Sequence, residues 1–359
     1  MQPQATSPVR FSLFDWLDES GRGHATGYDE RLDLLAYADQ AGFHAYLLAE
    51  HHGTSLSTTP SPSLFLSAVA QRTRRLRIGA LTWLLPLYNP LRLFEELCML
   101  DQMSHGRLEL GISRGSSPNE GKRLGVQRDD SRARFEEVLK LLIMGFTQGE
   151  LDLQGEFHDY DHVKTRFRPV QQPYPPIWYP TSNIESMAWA GAQGCNVATS
   201  LLLSPTLEHA GEMVGAWRAA FEAHRHESGR LNGHVAEPEC AITTHVYLAD
   251  TDARALEEAR AGWVTFNDNY TRRYVEIGQG AKFANRPTFD QFVEQRRILC
   301  GSPATVKRIL ADHLARFGAN HFIGSFTFGS LTQAQMQHSL ELFATEVMPA
   351  FTMPRALAA

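Results

Sequence analysis

The sequence has few of the features that mark disulfide-rich, membrane or nucleic-acid-binding proteins. Its 359 residues contain only four cysteines, Cys98, Cys195, Cys240 and Cys300, and no two of them form a CxxC pair. The longest apolar runs fall well short of the roughly 20 residues that a membrane helix needs. The net charge of −6 comes from no long run of one sign, so neither nucleic acid nor an anionic membrane is indicated as a partner.

The composition is otherwise that of an ordinary globular enzyme. Apolar residues make up 43% of the chain and charged residues 21%, which leaves ample material for a core. The first ten residues, MQPQATSPVR, contain no apolar signal segment. The scattered cysteines therefore predict free thiols in a reducing cytoplasm. We expect a cytoplasmic protein that binds a small, neutral or mildly polar ligand.

Motifs for several common ligands are also missing. No P-loop and no GxGxxG follows a predicted strand, which disfavours a nucleoside triphosphate or a dinucleotide held in the Rossmann manner. The 15 histidines include no HExxH motif and no Cys/His cluster. The adjacent His51 and His52 lie on an extended segment, where neighbouring side chains point to opposite faces. We therefore expect no catalytic metal.

What the sequence does contain is a regular alternation of short apolar runs and longer amphipathic stretches. Eight such strand-then-helix units predict a closed (β/α)8 barrel formed by one domain over residues 1–359. Two stretches, 148–174 and 269–301, exceed the minimal unit and are interpreted as insertions. The predicted strand and helix ranges are 11–17 and 29–41, 43–49 and 63–73, 75–85 and 90–104, 107–113 and 130–146, 175–181 and 183–193, 195–203 and 206–224, 240–249 and 251–268, and 320–328 and 332–347.

Polar residues follow most of the predicted strands. In a (β/α)8 barrel the active site lies at the carboxyl ends of the strands, so these residues are the candidates for chemistry. They are Asp15 and Trp16, Glu50-His51-His52, Leu81-Thr82-Trp83, Ser113-Arg114-Gly115, Thr181-Ser182-Asn183, Thr199-Ser200 and Ser325.

Two of these strand ends suit a phosphate. Arg114 beside Gly115 offers a planar cation where the backbone can approach closely, although an ordinary surface ion pair is the alternative. The segment 181–186 opens a predicted helix with hydroxyl and amide groups beside unsatisfied N–H groups, although capping by Ser182 or Asn183 explains it equally well. Because the two sites lie on neighbouring units, we favour one shared phosphate.

Longer stretches of the sequence resemble the bacterial luciferase-like flavin monooxygenase family. The similarity is carried by AEHH (49–52), by the run from SPSLFLSAVAQRT to LDQMSHGRLELGISRG (61–115), by SRA (131–133), and by ILCGSPATVKRIL (298–310) and LFATEVMPAF (342–351). The resemblance implies a (β/α)8 barrel that binds reduced FMN, or in some relatives a deazaflavin coenzyme. It also implies assembly as a dimer.

The resemblance implies roles for individual residues. His51 matches the histidine credited with acid/base work on the flavin-oxygen intermediate, and Glu50 or a backbone carbonyl is expected to fix its tautomer. His52 is interpreted as a packing or hydrogen-bonding neighbour. Leu81-Thr82 matches a non-proline cis peptide against the flavin ring. The expected cofactor-binding residues are Glu50, Leu81, Thr82, Arg114, Ser116, Arg132, Thr181, Ser182, Asn183, Ser186 and Ser200.

The function implied is a monooxygenase in which FMN, reduced by a separate NAD(P)H-dependent reductase, reacts with O2 to give a flavin C4a-hydroperoxide. Phe14, Trp16 and Trp83 are either walls of the substrate space or core residues, and as walls they favour an apolar aldehyde or ketone. A deazaflavin-dependent dehydrogenase and a non-catalytic flavin-binding protein remain alternatives, with a metal-dependent hydrolase last. Ser113 replaces the reactive cysteine of the luciferases, and 269–297 is unlike their mobile loop, so light emission is not expected.

Overall fold

The computed structural model describes residues 8–115 and 118–352. Eleven strands occur in these residues. They are β1 (Arg10–Asp15), β2 (Ala45–Leu48), β3 (Arg77–Leu84), β4 (Leu108–Ser113), β5 (Glu150–Gln154), β6 (Asp159–Lys164), β7 (Ile177–Trp178), β8 (Val197–Ser200), β9 (Cys240–Leu248), β10 (Leu299–Gly301) and β11 (His321–Ser325).

Twelve α-helices in the same residues connect or flank the strands. They are α1 (His24–Ala41), α2 (Pro62–Arg72), α3 (Pro90–Met103), α4 (Pro118–Arg123), α5 (Ser131–Gln148), α6 (Ile184–Ala192), α7 (Leu207–His224), α8 (Asp252–Val275), α9 (Phe289–Glu294), α10 (Pro303–Phe317), α11 (Gln333–Leu342) and α12 (Pro349–Thr352). Short 3₁₀ turns lie at Leu85–Leu87 and Gly280–Phe283, and a π-helical turn at Phe343–Val347 follows α11.

Eight parallel strands form a ring. Hydrogen-bonded pairs run from β1 through β2, β3 and β4 to β7 in one direction, and from β1 through β11 and β9 to β8 in the other. A parallel bridge between Trp178 and Asn196 joins β7 to the residue before β8. There the Asn196 N–H donates to the Ile177 carbonyl at 2.9 Å, and the Tyr179 N–H donates to the Asn196 carbonyl at 2.8 Å. The predicted (β/α)8 barrel is confirmed.

The inside of the ring is filled by side chains, as expected for a packed barrel. A separate larger core lies between the strands and the surrounding helices, so the strands are buried on both faces and their near-continuous apolar sequences follow from that burial. The interior set consists of Ala45, Leu47, Trp178, Ala198, Ala241 and Ile323, with Phe14 and Leu81 packed against it.

The two predicted insertions have their own structure. Residues 148–174 contain the antiparallel hairpin β5–β6. Residues 269–301 contain the end of α8, a 3₁₀ turn, α9 and the short strand β10, which extends the outer end of β9. The helices α4, α10 and α12 lie outside the predicted units and insertions. That the whole chain forms one domain stays a prediction.

Helix starts follow the local sequence. Asn89 caps α3 by accepting a hydrogen bond from the Arg92 N–H, directly before Pro90 at the first helical position, where proline lacks only an N–H that has no partner there. Thr288 and Thr332 form capping boxes at α9 and α11. Within the described residues, no helix combines the length and apolar character needed to cross a bilayer.

Candidate active site

A large cavity opens at the carboxyl ends of the barrel strands. Its volume is about 1840 Å³, whereas pockets for small ligands usually measure about 300–1,000 Å³. The space is therefore large enough for a cofactor and a substrate together. Residues at or just after the ends of seven strands line it, including Trp16, His51, Thr82, Arg114 and Ser325.

The structure brings almost all of the predicted site residues to this cavity. Those that line it are Glu50, His51, Leu81, Thr82, Arg114, Arg132, Thr181, Ser182, Asn183, Ser186 and Ser200. Ser116 lies outside the described residues. The roles expected of these side chains stay predictions, but their convergence on one cavity follows from the barrel.

His51 lies just after β2 with only 12% of its side chain exposed. Its ring stacks on Trp16, with centroids 5.5 Å apart and an interplanar angle of 12°. Its Nδ1 lies 3.1 Å and 3.2 Å from the two carboxylate oxygens of Glu120, which belongs to α4. Trp16 and Glu120 together fix the orientation of the imidazole.

The hydrogen bond to Glu120 decides which ring nitrogen of His51 carries the proton. An ionised carboxylate only accepts hydrogen bonds, so Nδ1 is the donor, and Nε2 keeps its lone pair in the neutral ring. Burial lowers the pKa of His51, against the opposing effect of the Glu120 hydrogen bond and charge. Neutral His51 is thus arranged as a proton acceptor at Nε2.

Glu120 is held in its ionised form. Burial alone would raise the pKa of this carboxyl, but the hydrogen bond and charge of His51, the charge of Arg273 and the His52 N–H together lower it. Arg273, on α8, lies 3.7 Å from Glu120 Oε1. The carboxylate therefore keeps its acceptor role toward His51 over the neutral pH range.

The expectation that Glu50 or a backbone carbonyl fixes the tautomer of His51 is wrong. Glu50 Oε1 lies 2.7 Å from His52 Nε2, and its other oxygen accepts from the Leu84 N–H at 3.0 Å. The hydrogen bond to Glu50 raises the pKa of His52. The side chains of the adjacent His51 and His52 point in different directions, so Glu50 hydrogen-bonds His52, whereas Glu120 hydrogen-bonds His51.

The phosphate-suited residues occupy the rim formed by β4 and β7. Arg114 follows β4 and is exposed, with Gly115 beside it at φ +82°. Burial raises the pKa of Tyr179, and the positive charge of Arg114 opposes part of that rise. Arg114 and the residue after β7 are thus close neighbours at the cavity wall.

The start of α6 lies at the same rim. Asn183 caps the helix, because its side-chain oxygen accepts from the Ser186 N–H at 2.9 Å, so capping by Asn183 is confirmed. The first N–H groups of a helix have no partner within it, and the exposed Ser182 and half-buried Ser186 add hydroxyl donors. Arg132 is exposed and pairs with Glu136 at 3.0 Å.

The cavity floor is built around β3 and β4. The peptide bond between Leu81 and Thr82 is cis, as predicted. Thr82 Oγ1 and Ser113 Oγ lie 2.5 Å apart. A Cβ added at Gly111 would lie 2.1 Å from the Ala80 carbonyl oxygen. The close approach of β4 to β3 beside this floor therefore requires a residue without a side chain.

The aromatic walls differ in part from expectation. Phe14 and Trp16 line the cavity. Trp83 does not: it is fully buried in the core between strands and helices, and its indole N–H donates to Ser63 at 3.3 Å. Side chains alternate across a strand, which places Thr82 and Trp83 on opposite faces. Tyr270 and Tyr274 of α8 supply aromatic wall instead.

Asp18 ties this part of α8 to the barrel. Its carboxylate accepts from Asn269 Nδ2 at 2.8 Å and from the Gly329 N–H at 3.0 Å. Burial raises the pKa of Asp18 to about 6, although both hydrogen bonds oppose the shift. The position of the wall formed by α8 depends on this buried carboxylate.

Side chains of the kind that bind metals also gather outside the cavity. Within the described ranges, Glu150, Asp152 and His162 on the hairpin β5–β6 are the one group whose ligand atoms lie within 4.8 Å of each other. They do not line the cavity, and Lys164 already forms an ion pair with Glu150. We assign this group no function.

Comparison with known proteins gives consistent matches over most of the chain. The family model described as luciferase-like monooxygenase matches residues 9–321. The oxygenase component of the flavin-dependent trigonelline monooxygenase of Acinetobacter baylyi is 28% identical, with 96% of each chain covered.

Two solved structures share the fold. Monooxygenase RslO1 from Streptomyces bottropensis has a TM-score of 0.82 at 25% identity, covering 95% of this chain and 99% of that one. The oxygenating constituent of 3,6-diketocamphane monooxygenase from Pseudomonas putida, solved with FMN, has a TM-score of 0.79 at 21% identity, covering 97% and 100%.

Proposed function

The chain belongs to the luciferase-like monooxygenase family, and from this premise we propose that it is the oxygenase component of a two-component flavin-dependent monooxygenase. It takes reduced FMN from a separate NAD(P)H-dependent reductase and uses O2 to oxygenate a small organic substrate. When bound, reduced FMN supplies the electrons that activate O2, so that one oxygen atom enters the substrate and the other leaves as water.

The residues at the rim fit the phosphate of FMN. Arg114 offers a planar cation with several donors, and the start of α6 offers N–H groups with the favourable end of the helix dipole. Ser182 and Ser186 add hydroxyl groups at the same place. The observation that carries the proposal is that this anion site and the neutral His51 line one cavity.

The floor and walls fit the flavin ring and exclude water. Leu81 contributes apolar surface and Thr82 a hydroxyl group to the cavity lining, and Phe14 and Trp16 contribute aromatic surface. A site that shields its reactants from water strengthens every electrostatic interaction within it. These residues would bind and orient the ring, and Arg132 and Ser200, which line the same cavity, would be further contacts of the cofactor.

His51 is the proton-transfer residue of this proposal. Its Nε2 has no protein partner among the described residues, whereas Nδ1 is held by Glu120. Imidazole exchanges protons near neutral pH, so His51 accepts a proton at Nε2 during the reaction. This arrangement favours an enzyme over a non-catalytic flavin-binding protein, which needs no oriented base.

FMN is favoured over a deazaflavin coenzyme. Among the proteins compared above, those with at least 25% identity are both monooxygenases by name, and a deazaflavin-dependent dehydrogenase would not use O2. Comparing the binding of FMN with that of the deazaflavin separates the two.

We further propose a cytoplasmic homodimer. The four cysteines are free and buried, which suits a reducing compartment. Leu64 of α2 and Met99 of α3 are 74% and 49% exposed, and exposed apolar side chains of this size on neighbouring helices suit a second copy of the chain. The mass of the protein in sedimentation experiments tests this part of the proposal.

The experiment is O2 uptake by the purified protein, with FMN and a flavin reductase supplied separately. We expect FMN binding and O2 uptake that depends on reduced flavin. Because hydrogen bonds to charged groups contribute about 1.5–3 kcal/mol, Arg114→Gln should weaken FMN binding by about tenfold or more. Arg92→Gln, at an exposed arginine paired with Glu96 on α3, is the matched control. The proposal would be refuted if the wild-type protein neither bound FMN nor showed O2 uptake.

A further inference from the structure

Arg273 lies in the wall of the cavity on α8, within the predicted insertion 269–301. Only 8% of its side chain is exposed. Its guanidinium lies 4.9 Å from the centroid of the Tyr270 ring and 4.8 Å from that of Tyr274. Both tyrosines line the same cavity. A cation packed on two aromatic rings is held in a fixed orientation.

The protein uses only one end of this guanidinium. Nη1 lies 3.7 Å from Glu120 Oε1, which is its acceptor, because His51 Nδ1, 3.3 Å away, carries a proton of its own. Nε is buried without a hydrogen-bond partner, and Nη2 has no protein acceptor in residues 8–115 and 118–352. A buried donor without an acceptor is costly, so the Nε/Nη2 edge is a binding surface that no described residue fills.

The surroundings of this edge carry an excess of positive charge. Arg286 lies 4.3 Å from the centroid of the Tyr270 ring, and its Nε and Nη2 are also buried without partners. No salt bridge to Arg286 occurs within the described part of the chain. Arg286 therefore places a second, half-buried cation beside the Tyr270 ring on which Arg273 packs, and this local positive charge favours an added anion.

We propose that the substrate carries a carboxylate that binds the Nε/Nη2 edge of Arg273. The planar guanidinium presents two parallel N–H groups at this edge, which match the two oxygens of a carboxylate. This proposal rests on the proposed function, because it names the substrate class of the same cavity. It refines the expectation of a wholly apolar substrate by adding one anionic end.

The rest of the substrate is apolar or aromatic. Trp16 stacks on His51 and lies edge-to-face with Tyr270, with centroids 6.1 Å apart, so an aromatic surface extends from Arg273 to His51. The occupied Nη1 faces His51 and Glu120, which leaves the bound carboxylate on the side of Arg273 away from Glu120. We expect the apolar body of the anchored acid to contact Tyr270 and Trp16, which form this aromatic surface.

The test uses matched pairs of acids and amides, because the two differ in charge and barely in shape. Benzoate and benzamide, and hexanoate and hexanamide, are titrated into the FMN-loaded protein by calorimetry. We expect at least one acid to bind the wild type about tenfold or more tightly than its amide, as a hydrogen-bonded charge pair predicts. Arg273→Gln should remove that preference, because it lowers the affinity for the acid much more than the affinity for the amide.

Two further variants separate recognition from a structural role. Arg272→Gln changes the neighbouring arginine, which is exposed and paired with Asp268, and should keep the preference. Arg273→Lys keeps the positive charge but not the planar edge, so it should retain part of the preference for the acid. This variant also provides a test if Arg273→Gln does not fold. No preference for either acid in the wild type would overturn the proposal, and so would a preference that survives in Arg273→Gln.

Failure of this inference is distinguishable from failure of the proposed function. If the wild type binds FMN but does not distinguish acids from amides, the proposed carboxylate site is refuted, whereas the proposed flavin-dependent function is not affected. If the wild type does not bind FMN, the proposed function fails first. An equal loss of acid and amide binding in Arg273→Gln would assign Arg273 to holding the cavity wall alone and contradict the proposal.

Discussion

Replacing Glu120 with glutamine should impair proton transfer by His51 while leaving the flavin site in place. Glu120 Oε1 lies 3.1 Å from His51 Nδ1, and both side chains are largely buried. The amide of glutamine still accepts a hydrogen bond from Nδ1, but without the charge. The substitution therefore removes the electrostatic part of the contact and keeps its shape.

The expected magnitude follows from the difference between charged and neutral hydrogen bonds. The former contribute about 1.5–3 kcal/mol and the latter about 0.5–1.5 kcal/mol, so Glu120→Gln should cost about 1–1.5 kcal/mol, or roughly tenfold in the oxygenation rate. Glu120→Leu removes the acceptor altogether and should cost about 100-fold. Because Glu120 raises the pKa of His51, that pKa should fall in both variants.

The assay is the pH dependence of flavin-dependent oxygenation, together with NMR titration of the labelled histidine rings. As His51 acts as a base, the rising limb of the rate profile should move to lower pH in Glu120→Gln. Glu276→Gln is the matched control, because the Glu276–Arg123 pair also joins α4 to the end of α8, at 3.7 Å, without touching His51. A limb that stays at the wild-type pH would refute the reasoning, and so would an equal loss of rate in the control.

Three further predictions concern the two histidines, Asp18 and one strand glycine. His51→Ala should lower oxygenation by about 10²–10⁴-fold, whereas His52→Ala should mainly lower the melting temperature; a larger rate loss in His52→Ala would reverse the assignment. Burial raises the pKa of Asp18 from 3.8 to about 6, so the folded state binds this proton more tightly than the unfolded state does. The contribution of Asp18 to the free energy of unfolding is therefore full below about pH 4, and it falls by about 3 kcal/mol as the pH rises through 6. Denaturant unfolding at pH 4.5–7.5 should show this decline in wild type and not in Asp18→Asn. Gly111→Ala should destabilise the protein and weaken FMN binding, because its Cβ would lie 2.1 Å from a carbonyl oxygen of β3, whereas Gly215→Ala on α7, with nothing within 4 Å, should do neither; thermal melting and FMN titration of both variants decide.

The sequence predicts the barrel well because the alternation of strands and helices is a local pattern. The eight ring strands and most of the helices paired with them lie within a few residues of their predicted ranges, whereas α8 runs seven residues beyond its predicted end at 268. The same logic places Arg114, Thr181 and His51 in one cavity, because strand ends of a parallel barrel meet at one rim.

The side-chain contacts across the site could not be predicted from the local sequence pattern. Glu120 lies in a six-residue helix in a loop, and nothing in the local sequence connects it with His51, 69 positions away. Arg273 falls in an interpreted insertion and reaches the cavity only because α8 runs to Val275. The helical pattern of 269–275 was the one available signal, since Tyr270, Arg273 and Tyr274 are spaced at three and four residues.

The central claim is that the cavity binds reduced FMN for reaction with O2, and an anaerobic titration tests it most directly. The protein is titrated with reduced FMN under argon, with the deazaflavin coenzyme in parallel, and the complex is then mixed with air-saturated buffer. We predict saturable binding of one reduced FMN per chain, weaker binding in Arg114→Gln, and an oxidation time course different from that of free flavin. Tighter binding of the deazaflavin, or oxidation of reduced FMN at the rate of the free flavin at every protein concentration, would contradict the account.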